Sequence, residues 1–333
     1  MKVLVTGAAG FIGSHVYRKL RELGFKVHGV DNFSPYYSVL YKDLRLKSLG
    51  ITKGLDVFEC DISQYEKINE LILSIKPDYI IHLAAQAGVR LSFKDSGSYI
   101  SANVTGFQNI TRSSIENGVK GIIYASSSSV YGDNTPTPYK ESSVSLKPKS
   151  LYGVTKLSNE LMAEIISKSS NLRFRGLRYF TVYGPWGRPD MAYFRIAAAA
   201  LGQRAFTLFG DGTIKRDFTY IDDVVDNTIA LFRDLMRQDE SFNDIVNIGG
   251  SRPLEMNYLI DLISKRGNIH SNIARVEASK LDVQITMADN TYLKSILGEV
   301  KFTDLEEGIG NLMEWASRES IRSSLVHWIQ STV

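Results

Sequence analysis

Along the first half of the chain, short runs of consecutive apolar residues alternate with stretches of helical period. KVLVT (2–6), FKVHGV (25–30), LDVFEC (55–60), YIIHLA (79–84) and GIIYAS (121–126) have strand length and β-branched content. A strand with one face in water alternates apolar and polar residues, so continuous runs predict strands covered on both faces. Between the first two runs, Ile12, Val16, Leu20 and Leu23 share one face of a predicted helix. Strand and helix in repeated alternation predict an α/β fold built on a doubly wound parallel sheet. The regularity ends near residue 180. Glycine, proline and aromatic residues crowd 183–220, one further strand-like run, IVNI, follows at 245–248, and the remainder mixes short helices with loops. The run AAAA (197–200) predicts a helix packed closely on its neighbour.

Composition narrows the class without naming a function. A chain of 333 residues with 44% apolar and 23% charged content is an ordinary globular protein, large enough for one big domain or two modest ones. The formal charge of +3 is small and its basic residues are scattered, which argues against a nucleic-acid stripe or a polybasic membrane patch. The single cysteine, Cys60, excludes an internal disulfide and, within LDVFEC, is expected to be buried filler. No apolar run reaches the length of a membrane span, and MKVLVTGAAGFIG turns to glycine too early for a signal peptide. A cytoplasmic protein without membrane or nucleic-acid partners is the expectation.

Candidate chemistry begins at the first strand. TGAAGFIG (6–13) follows it directly and opens the first helix. Gly7 permits a tight turn, Gly10 lets a pyrophosphate approach the backbone, and Gly13 allows close packing of helix on strand. The free N–H groups at the helix start then face the anion. Asp31 ends the second strand, where a carboxylate accepts the ribose hydroxyls and repels a 2′-phosphate, so NAD is favoured over NADP. Asp61, after the third strand, is either an adenine contact or a turn former.

Further along, SLYGVTK (150–156) sets Tyr152 and Lys156 one helical turn apart. TGAAGFIG, Asp31, HLAAQAGVR (82–90), the serine run 126–129 before VYG, and this Tyr/Lys pair occur in an order and spacing that resemble the extended short-chain dehydrogenase/reductase family. Within it, SPYY (34–37), AAQAGVR, ASSSSVYG, RYFTVYGPWGRPDMAYF (178–194), KRDFTYIDDVV (215–225) and TMAD (286–289) look like nucleotide-sugar 4-epimerases acting on UDP-glucuronic acid. The resemblance covers nearly the whole chain and implies a Rossmann domain holding NAD. Its expected cofactor residues are Gly7, Gly10, Phe11, Ile12, Gly13, Asp31, Asn32, Asp61, Ile62, Leu83, Ala84, Ala85, Tyr152, Lys156 and Tyr179. The expected boundaries are 1–180 with about 217–248 for this domain. A UDP-sugar domain is then expected over about 181–216 and 249–333.

An unperturbed tyrosine ionises near about 10, too high for a good base at neutral pH, and a neighbouring ammonium favours its phenolate. The resemblance therefore implies Tyr152 as the base at the sugar C4 hydroxyl, Lys156 as its tuning charge, and Ser127 as a hydrogen-bond partner of that hydroxyl. Ser126, Ser128 and Ser129 leave the serine register open. Arg216 is expected on the diphosphate, with Arg252 and the 192–209 region as weaker candidates. Thr181 and Arg188 are expected to hold a sugar carboxylate, Arg188 through its two-pronged guanidinium; Arg90 is a further candidate. No metal site is expected. Dehydratases of the superfamily carry acidic residues beside the serine, and ASSSSVYG has none. The alternatives are epimerisation of UDP-N-acetylhexosamines or UDP-hexoses, decarboxylation of UDP-glucuronate, and a non-catalytic dinucleotide sensor. The resemblance also implies a homodimer packed through helices near 97–117 and 150–169.

Overall fold

The computed structural model describes residues 1–89, 91–202, 206–267, 273–277 and 283–330. The apolar runs become β1 (Lys2–Thr6), β2 (Lys26–Asp31), β3 (Val57–Glu59), β4 (Tyr79–His82), β5 (Gly121–Ser127) and β6 (Arg173–Tyr179). Later come β7 (Thr181–Tyr183), β8 (Phe206–Phe209), β9 (Lys215–Tyr220), β10 (Asn243–Ile248), β11 (Pro253–Glu255) and β12 (Ile273–Val276). Seven strands pair in the order β10-β6-β5-β4-β1-β2-β3, parallel throughout. This is the Rossmann arrangement, and the order reverses between β1 and β4. A crevice opens there at the strands' carboxyl ends.

Alternate side chains of one strand explain why its apolar run is continuous. Val3, Val5, Ile81 and Ile123 enter one core, whereas Leu4, Ile80 and Ile122 enter the core on the opposite face. The first face is covered by α1 (Phe11–Glu22) and, from far along the chain, a long later helix over Ile221–Leu235. Between them in sequence lie α2 (Val39–Ser48), α3 (Tyr65–Ile75), the short α4 (Ser96–Tyr99), a π-helical turn over Ile100–Thr105, α5 (Gly106–Glu116) and α6 (Leu151–Ser169). The second core draws on α3, α5 and α6. Two predicted details shift. α1 stops at Glu22, so Leu23 only terminates the helix and is 39% exposed. β3 ends at Glu59, leaving Cys60 half-buried instead of sealed in the core.

The rest of the chain builds α7 (Ala192–Gly202), the helix just mentioned as α8 (Ile221–Leu235), α9 (Met256–Gly267), α10 (Thr291–Leu297), α11 (Leu305–Ser317) and α12 (Glu319–Gln330). Ala197–Ala200 are buried, and α7 packs on α9 and α12. Small side chains on that face permit the close approach. β7 and β11 flank β9 in one small sheet, and β8 pairs with β12 in another. No helix among the described residues is long and apolar enough to cross a membrane.

Candidate active site

A cleft of about 260 Å³ runs along the carboxyl ends of the main sheet, from the glycine turn to the start of α6. At one end Gly7 adopts φ +68° and its carbonyl accepts the Gly10 N–H at 2.9 Å. α1 begins immediately afterwards with no side chain capping it and no acidic residue in its first turn. The first N–H groups of the helix, at Phe11, Ile12 and Gly13, therefore face the cleft unsatisfied by the helix itself. Asp31 lies beside them. Its carboxylate accepts from the Ala9 N–H at 3.0 Å and the Phe33 N–H at 2.8 Å, with the Lys42 ammonium at 3.9 Å. An anion cradle next to a fixed carboxylate fits the pyrophosphate and adenosine ribose of a dinucleotide. Asn32 donates to Asp61 at 3.1 Å while Asp61 also accepts from the Ser63 N–H at 2.8 Å. Asp61 is thus both a turn former and a cleft wall.

The other end is set by α6. Ser150 caps the helix by accepting the Gly153 N–H at 3.1 Å, a contact worth roughly 1 kcal/mol against alanine. A Cβ on Gly153 would fall 2.6 Å from the Ser129 carbonyl, so glycine is what lets the helix start sit against the serine turn. Tyr152, in the first turn, projects into the cleft. Ser127 lines the same wall and hydrogen-bonds the Tyr152 phenol. Its hydroxyl also accepts the Ser129 N–H at 3.2 Å and donates to the Ser129 hydroxyl at 3.1 Å. Ser126 points elsewhere, to the buried Glu160 carboxylate. Ser128 and Ser129 belong to a short turn over Ser128–Val130 and do not line the cleft.

Electrostatics differ from the expectation for the Tyr/Lys pair. Burial raises the Tyr152 phenol above its ordinary range, while the Arg188 charge and the Ser127 hydrogen bond pull it back. Burial lowers Lys156 to about 8, and Glu160, one turn further along α6, opposes that by favouring the ammonium. The Lys156 Nζ donates to the Ala125 carbonyl at 2.9 Å, at the end of β5. The cation that acts on Tyr152 is thus Arg188. Glu160 is itself anchored by Arg178 through a two-pronged ion pair at 2.9 and 2.7 Å.

Phe11, Ile12, Asn32, Ile62, Leu83, Ala84, Ala85 and Tyr179 all line the cleft as well; the Tyr179 hydroxyl bonds Thr228 at 2.8 Å. Arg188 lines it too, but its fork is already engaged by Asp190. Thr181 opens β7, half-buried, and forms no part of the wall. Neither does Arg216, whose Nη1 donates to the Val283 carbonyl at 2.6 Å. The segment carrying TMAD docks on β9 through the Thr286 N–H to Lys215 carbonyl bond at 3.2 Å, which is how Arg216 comes to meet it. Arg252 reaches Asp304 at 3.0 Å on the surface. Arg90 lies outside the described residues. Sequence reasoning nominated none of Tyr36, Lys42, Cys60, Gln86 or Met191, which line the cleft. The quoted motifs nevertheless contain three of them, Tyr36 in SPYY, Gln86 in AAQAGVR and Met191 in RYFTVYGPWGRPDMAYF. Among the described residues no cluster of His, Cys, Asp and Glu is arranged to hold a metal ion.

Residues 3–249 match the NAD dependent epimerase/dehydratase family. The chain belongs to this family. NAD is its cofactor. Among relatives of this NAD-dependent enzyme, the UDP-glucuronate 4-epimerase 4 of Arabidopsis thaliana is 36% identical, over 94% of this chain and 74% of that protein. The UDP-glucuronic acid 4-epimerase of Bacillus cereus, solved with UDP-glucuronic acid and NAD, superposes with a TM-score of 0.86 at 32% identity, covering 95% of this chain and 98% of the other. The UDP-glucose 4-epimerase of Thermotoga maritima, solved with UDP-glucose, superposes with a TM-score of 0.85, also at 32% identity and with 95% and 98% coverage.

Proposed function

We propose that the chain interconverts UDP-glucuronic acid and UDP-galacturonic acid by inverting C4. The observation that carries this is the Arg188 guanidinium in the same cleft as the Tyr152 phenol, close enough for its charge to act on that phenol. A neutral sugar presents only a hydroxyl at C6; a hexuronate presents a carboxylate, the stronger partner for a cation. NAD would be held at the glycine turn and beside Asp31, and would supply hydride acceptance and donation at the sugar C4. Tyr152 takes the proton from the C4 hydroxyl and gives it back, with Ser127 fixing the oxygen's position. Lys156 and Glu160 set the charge behind them. Glu160 is bound by Arg178 and Asp190 by Arg188, so neither carboxylate is disposed to remove a second sugar proton, as dehydration requires. The UDP moiety is assigned to the unit formed by the small sheets and the later helices, residues about 181–216 and 249–333.

The test is NMR of the purified protein with UDP-glucuronate and no added cofactor. UDP-galacturonate is the expected product. Conversion of UDP-glucose or a UDP-N-acetylhexosamine in preference to UDP-glucuronate, or release of a UDP-pentose with CO2, overturns the acid-sugar assignment. The same reading includes a homodimer. Val154, Leu161 and Ile165 leave an apolar stripe 45–65% exposed along α6, with Ile115 of α5 48% exposed. Water-facing leucine and isoleucine in a row on the two helices suit a second copy. Sedimentation reads this directly, and a species of 37.2 kDa at micromolar concentration would sink it.

A further inference from the structure

Arg188 is held more tightly than a free substrate clamp needs to be. Its Nε donates to Asp190 Oδ1 at 3.0 Å, and its Nη2 donates both to Asp190 Oδ2 and, at 3.3 Å, to the Ala87 carbonyl. The guanidinium stands 5.7 Å from the centre of the Tyr36 ring. The Tyr36 hydroxyl in turn donates to Asp190 Oδ2 at 2.9 Å, across 154 residues of sequence. Arginine has five donor hydrogens. Three are spent on Asp190 and Ala87, and the two on Nη1 donate to no described residue. The side chain is 20% exposed and Asp190 is 18% exposed, and of the two Arg188 lines the cleft. The fork expected to grip a substrate carboxylate is thus used to fix the arginine, and one nitrogen is left to face the ligand.

We propose that Asp190, locked by Tyr36, is the positioning residue that aims Arg188 and thereby decides whether an acid sugar keeps its carboxylate. The proposal rests on the UDP-glucuronate reading above. At the 4-keto stage a hexuronate is a β-keto acid. If the C5–C6 bond turns perpendicular to the ketone plane, it breaks, its electron pair enters the enolate spanning C5 and C4, and CO2 leaves. Water then protonates C5, and the ketone recovers its hydride, so the net change is UDP-hexuronate plus H⁺ to UDP-pentose plus CO2 with no change in the nicotinamide. An arginine free to follow the carboxylate permits that rotation; one whose Nε–Nη2 edge is fixed does not. Geometry held to a fraction of an ångström is what separates the two outcomes.

The experiment is product partition by NMR with UDP-glucuronate for wild type, Asp190→Asn and Tyr36→Phe. Asp190→Asn removes the charge that anchors Arg188 while keeping the side-chain volume. It is expected to raise the ratio of UDP-pentose to UDP-galacturonate by about tenfold or more, with KM for UDP-glucuronate unchanged or lower because the guanidinium loses its resident anion. Tyr36→Phe, which deletes one hydroxyl, is expected to move the ratio the same way by less, and it decides the matter should Asp190→Asn fail to fold. A ratio unchanged from wild type in the folded variants overturns the role given to Asp190. Failure of the wild type to turn over UDP-glucuronate at all overturns the substrate reading instead, so the two failures are distinct.

Discussion

Tyr152→Phe is expected to lower kcat on UDP-glucuronate by about a thousandfold while leaving NAD content and UDP-glucuronate affinity nearly intact. The figure follows from removing the atom assigned to move the C4 hydroxyl proton, a service worth about 10²- to 10⁴-fold in general. Binding survives because the phenyl ring keeps the packing against Tyr99, whose ring lies 6.3 Å away, edge to face. The chemistry is lost because neither described neighbour, Ser127 or Lys156, takes over the proton. Ser127 is a far weaker base, and Lys156 is turned to the Ala125 carbonyl. The wild-type pH profile carries a second signature. Burial holds the Tyr152 phenol above its ordinary range, so its base form gains as pH rises, and kcat of the wild type is expected to rise with pH across the neutral range, a rise that Tyr152→Phe should lose. Turnover and isothermal titration across that range read both. A Tyr152→Phe enzyme retaining more than a tenth of wild-type turnover would falsify the assignment of the base.

How much of this was legible in the residues depends on the range over which each feature is encoded. β1 and β4 were legible because burial on both faces forces an unbroken apolar run: Leu4 and Ile80 must satisfy one core while Val3, Val5 and Ile81 satisfy the other. The glycine turn was legible because each glycine answers a local steric demand. Tyr152 and Lys156 were legible as a pair, since helix geometry alone puts positions four apart on one side. The charge acting on Tyr152 was not, because Arg188 reaches it from a loop after β7 that meets α6 only in the folded chain. The occupant of the Arg188 fork stands two residues away in GRPD, close enough in sequence for the pair to form locally. Its other partner, Tyr36, is reachable only through tertiary structure. Cys60 misled for a different reason. The apolar run around it is real, but β3 is short, and the residue after its end falls on the cleft.

Gly13→Ala is expected to empty the NAD site. A Cβ built on Gly13 lies 2.1 Å from the Gly7 carbonyl oxygen and 3.3 Å from the Ala8 Cα, and both neighbours are backbone. No rotamer change relieves such a contact, so either α1 moves off β1 or the turn at Gly7 opens. Gly7 cannot easily yield. It already sits at φ +68°, and its own Cβ position lies 2.7 Å from the Ala84 nitrogen across the topological switch point. Overpacking of this kind costs about 1–3 kcal/mol even where side chains can adjust. Here the strain falls on the N–H groups assigned to the pyrophosphate, so affinity for NAD should drop by at least about tenfold, the equivalent of 1.4 kcal/mol. The measurement is NAD released per chain on denaturing the purified protein, with circular dichroism to confirm that the fold persists. Gly97→Ala is the matched control, since a Cβ at Gly97 meets nothing within 4 Å. NAD retained by Gly13→Ala at the level of Gly97→Ala would mean that the cofactor is not held at this turn.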